Sequence, residues 1–73
     1  MAFQIVELAL DSDDKVIDRR VVPYPYQTRE EAVDTIETVL MRFPEAGYEP
    51  EGDFWWATPT VGEMRIRFIL EAV

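Results

Sequence analysis

Few side chains in this sequence are suited to acid–base or nucleophilic chemistry. Histidine and cysteine are absent, and serine and lysine occur once each, as Ser12 and Lys15. Enzymes that work at neutral pH usually rely on histidine, an activated cysteine, or a serine or lysine held beside a base. Ser12 lies among aspartates, which would destabilise an alkoxide, and a carboxylate pair would need a cleft for which so small a domain has little room. We therefore expect no catalytic residues and no enzymatic activity.

The acidic stretch at residues 11–14 superficially resembles the start of a calcium loop. An EF-hand requires glycine at its sixth position and glutamate at its twelfth, where this chain has Val16 and Val22. Short acidic residues of this kind also form solvated hairpin turns, which is the interpretation we prefer. The glycines are scattered in predicted turns rather than gathered in a phosphate-binding loop. We expect neither a metal nor a cofactor.

Tryptophan and arginine are the residues best suited to binding. Trp55 and Trp56 are adjacent, so on a strand they send one ring to each face of the sheet. The ring outside the core either covers an edge or anchors an interface, because tryptophan and arginine dominate interface energetics.

Four arginines lie on two predicted strands, and two interpretations of them remain open. In the first they form cross-strand ion pairs with nearby acids, and in the second they present a surface to an anion or an acidic partner. The arginines are Arg19, Arg20, Arg65 and Arg67, and the available acids are Glu7, Asp18, Glu63 and Glu71.

Alternating apolar residues predict four strands, at residues 3–10, 15–22, 54–58 and 63–71. In the first strand we assign the phase of Val6, Leu8 and Leu10 to the core, which leaves Ile5 and Ala9 on the opposite face. In the last strand Ile66 and Phe68 face the core, and Arg65, Arg67 and Ile69 face away from it. The glycine-, proline- and acid-rich stretch at 45–53 predicts a loop, and 59–62 predicts a turn.

The helix has the clearest signals. Thr28 and Glu31 have the spacing of a capping box, and Pro44 forbids continuation, so the helix should end at about Arg42 or Phe43. A stripe of 3.6-residue period supplies the face that packs on the sheet: Ala32, Val33, Ile36, Val39, Leu40 and Phe43.

These elements predict a single α+β domain spanning residues 1–73, a two-layer sandwich with the order β-β-α-β-β. A four-stranded, mainly antiparallel sheet would carry the helix on one face. We prefer the order first-second-fourth-third, which is fully antiparallel. The alternative, second-first-fourth-third, would place the first and fourth strands parallel, and parallel pairs are less common.

The charge balance excludes one class of partner. Fifteen acidic residues against seven basic ones give a net charge of −8, which repels nucleic-acid backbones. The N-terminal residues lack the basic region of a signal peptide, and no apolar stretch approaches the roughly 18 residues of a membrane span. We expect a cytoplasmic protein without membrane or nucleic-acid partners.

The predicted function is that of a small acidic interaction module, which forms a homodimer through the sheet face without the helix or through an edge strand. A chain this small, without disulfide or metal, gains from surface buried by a second copy. An unidentified protein partner is a further alternative. One alternative is a domain that binds a small molecule or anion with Arg65, Arg67 and a tryptophan, and another is an acidic inhibitor or nucleic-acid mimic. The interface candidates are Ile5, Trp55, Trp56, Arg65, Arg67 and Ile69.

Overall fold

The computed structural model describes residues 2–59 and 64–73, which form five strands and one helix. The elements in chain order are β1 (Phe3–Leu10), β2 (Val16–Val21), α1 (Arg29–Leu40), β3 (Glu45–Glu49), β4 (Phe54–Thr58) and β5 (Arg65–Ala72). The sheet has the order β2-β1-β5-β4-β3, with every neighbouring pair antiparallel, and α1 packs on one face against β1, β4 and β5. The predicted α+β architecture with one helix on one sheet face is therefore confirmed. Most of the predicted turn at 59–62 and the predicted strand start at Glu63 lie outside the described residues.

The predicted number of strands is wrong, because part of the stretch expected to be a loop is a strand. Residues Glu45–Glu49 form β3, an edge strand that pairs with β4. Gly47 lies opposite Trp56 and Tyr48 opposite Trp55, so the aromatic strand supplies the contacts that a glycine- and glutamate-rich segment lacks. The sheet is five-stranded rather than four-stranded.

The missed strand also explains why the preferred strand order is wrong. β1 lies between β2 and β5, which is the arrangement we expected to make the first and last strands parallel. They are antiparallel, with Val6 opposite Ile69. β3 reverses the direction of the chain once more before β5, and this additional reversal makes the first and last strands antiparallel.

The predicted N-cap at Thr28 is confirmed, and Glu31 reaches back to the cap, but it contacts the Thr28 hydroxyl and not the backbone N–H of a regular capping box. Thr28 has extended backbone geometry, and its hydroxyl accepts a hydrogen bond from the Glu31 N–H at 3.2 Å and donates one to the Glu31 carboxylate at 3.2 Å. The regular helix ends at Leu40, slightly before the predicted end. Beyond it the N–H of Phe43 bonds the carbonyl of Leu40 at 3.0 Å, a three-residue spacing that tightens the last turn before Pro44.

The core lies between α1 and the strands beneath it, and in β1 the face that packs on the helix is opposite to the predicted one. Ile5 faces α1, whereas Val6 and Leu8 point to the opposite side of the sheet. Ile5 pairs with Leu70, and Leu70 lies on the same side of β5 as Phe68, which belongs to the core. Both phases of β1 are apolar, so alternation alone did not distinguish them. The fully buried cluster is Ile5, Ala32, Ile36, Trp55, Ala57 and Phe68.

Candidate functional site

The sheet face opposite α1, called the open face below, gathers most of the predicted interface residues. Trp56, Arg65, Arg67 and Ile69 lie on it together, at alternate positions of β4 and β5. Trp56 is 37% exposed. The expectation that the two adjacent tryptophans occupy opposite faces is confirmed, since Trp55 joins the core at 5% exposure.

Two of the predicted interface candidates are buried beneath the helix. Ile5 is 2% exposed, and together with Trp55 it belongs to the core cluster. The placement of Ile5 on the open face was wrong. The pairing of β1 with β5 instead directs the other set of alternating apolar residues of β1 toward that face. That set contains Val6 and Leu10, which are also almost fully buried, at 0% and 2%.

An ion pair across the open face accounts for one of the four arginines. Arg19 on β2 bonds Glu71 on β5 at 3.0 Å, and the same carboxylate oxygen accepts a hydrogen bond from the Gln4 amide at 3.1 Å. Because β1 separates the two strands, this bridge crosses β1 in the region of Val6. The preferred strand order would have made the two arginine-bearing strands neighbours, which is wrong, but an ion pair forms across the intervening strand.

The other arginines differ in their surroundings. Arg65 bonds Asp14 at 3.2 Å, in the turn between β1 and β2. Arg20 lies on the helix side of β2, opposite Glu7. The guanidinium carbon of Arg67 lies 4.1 Å from the ring centroid of Phe54, and its Nε is buried without a hydrogen-bond partner among the described residues. No described carboxylate comes within ion-pairing distance of Arg67.

A cleft of about 400 Å³ opens beside Arg67 on this face. Its walls include Leu10, Phe54 and Trp56, with Arg65, Arg67 and Glu45 at polar positions. This volume falls within the range of pockets that hold small ligands. The cleft is the site at which apolar walls and an arginine without an acidic partner in the described residues come together.

A second polar cluster ties the start of α1 to the β3–β4 turn. Arg29 bonds both carboxylate oxygens of Asp53, and the Tyr48 hydroxyl donates to Asp53 at 2.8 Å. The Arg29 guanidinium lies 5.7 Å from the Trp55 ring centroid, and the Tyr48 and Trp55 centroids are 4.8 Å apart. Sequence reasoning missed this cluster, because Asp53 reaches it from a left-handed backbone conformation (φ 52°) that short-range patterns do not reveal.

The hydrogen bonds in this cluster shift the pKa of each group. The bonds from Arg29 and then Tyr48 hold the pKa of Asp53 below its ordinary value. The bond to Asp53 raises the pKa of Tyr48, and it also raises the pKa of Arg29. Near neutrality Asp53 and Arg29 are charged and Tyr48 is neutral even at their ordinary pKa values, so these shifts widen the pH range over which the cluster keeps that charge state.

The edge strand β2 is exposed along its whole length, all six residues included. Val16, Ile17 and Val21 are 54%, 56% and 40% exposed. Natural edge strands are usually shortened, charged or covered, because unpaired backbone groups invite another strand. β2 carries charges at its centre but keeps apolar side chains at both ends.

Other kinds of site are not apparent in the described part of the chain. Within residues 2–59 and 64–73 no group of acidic side chains is arranged to hold a metal ion. No helix formed by those residues has the length and apolar character needed to cross a membrane. Comparison with known proteins returns no matching family model, curated protein or solved structure.

Proposed function

We propose that the protein is a non-enzymatic interaction module that forms a homodimer by antiparallel pairing of β2 with β2 of a second copy. The observation that carries this proposal is the residue order of the fully exposed strand, Val-Ile-Asp-Arg-Arg-Val. Two copies of this strand, paired antiparallel with Arg19 opposite Arg19, place residues of opposite charge against each other. The direction of the β2 backbone groups and the positions of its charges both support this pairing.

The outward backbone groups of β2 select the registers that a two-fold pair could use. The N–H of Val22 donates to the carbonyl of Ile5 at 2.9 Å, so Val22 and alternate residues before it, as far as Asp18, face β1; beyond Asp18 the register with β1 shifts by one residue. In an antiparallel ladder the intervening residues direct their N–H and C=O groups away from that neighbour. Arg19 and Val21 therefore direct their backbone groups away from β1. The Arg19 N–H donates to the Asp18 carboxylate of its own chain at 2.9 Å, so a second strand at this edge has to displace that bond.

A two-fold axis normal to the sheet places one residue of β2 opposite its own copy. With Arg19 at the axis, the two Arg19 residues exchange a pair of backbone hydrogen bonds once each N–H is released by the Asp18 carboxylate, and Val21 of each copy lies opposite Ile17 of the other. This register also places Asp18 of each copy opposite Arg20 of the other, at a pair without backbone hydrogen bonds, where cross-strand side chains approach most closely.

The neighbouring symmetric registers are electrostatically worse. With Asp18 at the axis, two carboxylates would lie opposite each other, and with Arg20 at the axis, two guanidinium groups without an ion-pair partner in the described residues would do so. Arg19 tolerates the central position better, because each copy is already bonded to its own Glu71.

The exposure of apolar side chains favours the edge strand β2 over the open face as the surface that contacts a second copy. The central apolar residues of the open face are already covered, with Val6 at 0% and Leu10 at 2% exposure, whereas Val16 and Ile17 on β2 are more than half exposed. A second copy at the edge would bury these valine and isoleucine side chains and pair the outward backbone groups.

Charge-swap variants test the proposed register. Asp18→Arg and Arg20→Asp each place like charges opposite one another across the axis, so each variant should shift the mass measured by light scattering at micromolar concentration toward the 8.5 kDa monomer. The double variant Asp18→Arg/Arg20→Asp restores opposite charges and should restore the dimer.

Two control variants distinguish pairing at β2 from a contact elsewhere on the molecule. Asp34→Arg makes the same charge change as Asp18→Arg on the exposed side of α1 and should leave the dimer intact. Ile69→Glu alters the open face and should also leave it intact. A wild-type mass of one chain would refute the dimer, and loss of the dimer in Ile69→Glu alone would move the contact to the open face.

A further inference from the structure

We infer that the cleft beside Arg67 is a binding site for a small aromatic carboxylate. The cleft is separate from β2 and has a volume of about 400 Å³, enough for a ring with a short substituent. This inference concerns a different surface from the proposed dimer contact and does not depend on it.

Arg67 supplies the positive charge. Its guanidinium is stacked on Phe54 at 4.1 Å, and its Nε–H is removed from water without donating a hydrogen bond to any described residue. Taking a charged group partly out of water is unfavourable unless a partner compensates for the lost hydration. In residues 2–59 and 64–73, three other arginines reach a carboxylate within 4 Å and Arg67 does not, although the chain carries an excess of acids.

The walls of the cleft select a flat ligand. Phe54 and Trp56 lie on the same face of β4, two residues apart, and Leu10 contributes an aliphatic wall from β1. Aromatic side chains favour stacked or edge-to-face contact with a second ring. A guanidinium fixed by stacking presents its nitrogen atoms in a planar fork that matches a carboxylate.

The charges around the cleft favour a singly charged ligand over a phosphate. Arg65 is already bonded to Asp14, and Glu45 also lines the cleft. One available guanidinium beside a glutamate suits a monoanion, and the net charge of −8 opposes a dianion more strongly than a monoanion.

The test uses benzoate as the probe and benzamide as its uncharged analogue of nearly the same shape. Binding is followed by NMR titration of the Trp56 indole N–H and the arginine Nε–H signals. We expect benzoate to shift these signals and to bind about tenfold more tightly than benzamide or better, since hydrogen bonds to a charged group are stronger than neutral ones.

Variants assign this preference to Arg67. Arg67→Gln should remove the preference for benzoate, and Arg67→Lys, which keeps the charge but not the planar fork, should retain part of it. Arg20→Gln, on the helix side of the sheet, is the matched control and should bind as the wild type does. Equal binding of benzoate and benzamide, or an unchanged preference in a folded Arg67→Gln protein, would overturn the inference.

The same titration in the Asp18→Arg variant tests ligand binding in the cleft independently of the proposed dimer contact. β2 does not line the cleft, so this variant should bind benzoate as the wild type does whether or not the wild type is a dimer. Should Arg67→Gln fail to fold, Arg67→Lys decides: a benzoate preference identical to that of the wild type would exclude the bidentate contact.

Discussion

The indole ring of Trp56 lies against the backbone of Gly47, its cross-strand partner on β3, so closely that a Cβ at Gly47 would be 2.9 Å from the ring. A contact this short requires the indole or the strand to move. Gly47→Ala should therefore destabilise the protein by about 1–3 kcal/mol, the usual cost of overpacking. Chemical denaturation measures the loss, and Trp56 fluorescence reports the displacement of the ring.

The sign of this effect should reverse when the indole is removed. In a Trp56→Ala background the added methyl group has space, and glycine inside a strand is less favourable than alanine by about 0.5–1 kcal/mol because of its backbone entropy. Gly47→Ala should then stabilise the protein. A similar destabilisation in both backgrounds would show that the indole is not the cause.

The same contact explains why β3 could not be predicted from the sequence. Glycine and glutamate are poor strand formers, and nothing local indicates that an indole from the following strand will cover Gly47. The helix, in contrast, was predicted well, because its cap, its apolar period and Pro44 are all local signals. Missing β3 then produced the wrong strand order, since the direction of each later strand depends on how many strands precede it.

The candidate site was predictable only in part. Alternation placed Arg65, Arg67 and Ile69 on one face, and required the adjacent tryptophans to separate. It could not choose between the two apolar phases of β1, so Ile5 was assigned to the wrong face. Which arginines lack an acid in the described part of the chain depends on strand order, so the sequence could not distinguish Arg67 from Arg19.

The packing of α1 on the sheet gives a prediction about the core. Ile36 is 1% exposed in the centre of the buried cluster, so Ile36→Ala should lower the free energy of unfolding by about 2–5 kcal/mol through lost burial and the cavity left behind. Met41→Ala, at the exposed helix end, is the control and should change stability by less than about 0.5 kcal/mol. Denaturant titration measures both, and similar small losses would show that α1 presents a different face to the sheet.

The Arg29–Asp53–Tyr48 cluster predicts a pH dependence of stability. The folded pKa of Asp53 is lowered by its bond to Arg29, so its contribution is present above the unfolded pKa of about 3.9 and is lost as the pH falls through the folded pKa. Asp53→Asn, which tolerates the same positive φ, should cost about 0.2–1 kcal/mol near neutrality, as exposed ion pairs do. Melting temperatures of the two proteins should converge as the pH falls below about 4.

Two further variants identify the source of that dependence. Tyr48→Phe removes a group whose pKa is raised by its bond to Asp53, so its contribution is present below the unfolded pKa of about 10 and should disappear as the pH rises through the folded pKa. Asp13→Asn is the control, because the exposed Asp13 carboxylate makes no hydrogen bond or ion pair with a described residue, and it should not change this dependence. A gap between wild type and Asp53→Asn that persists unchanged at pH 2 would exclude ionisation of Asp53 as its cause.

Proline substitutions at Val21 and at Val22, made one at a time, should distinguish the N–H group that points away from β1 from the one that bonds β1. The Val22 N–H is bonded to the Ile5 carbonyl at 2.9 Å, whereas the N–H of Val21, one residue earlier, points away from β1. Val22→Pro removes a bond of the monomer and should destabilise the fold, since proline has no N–H to donate. Val21→Pro removes only an outward donor, so it should leave the circular dichroism spectrum intact while shifting the mass in solution toward the monomer. A folded Val21→Pro protein that remains dimeric would show that the second copy is held elsewhere than at this edge.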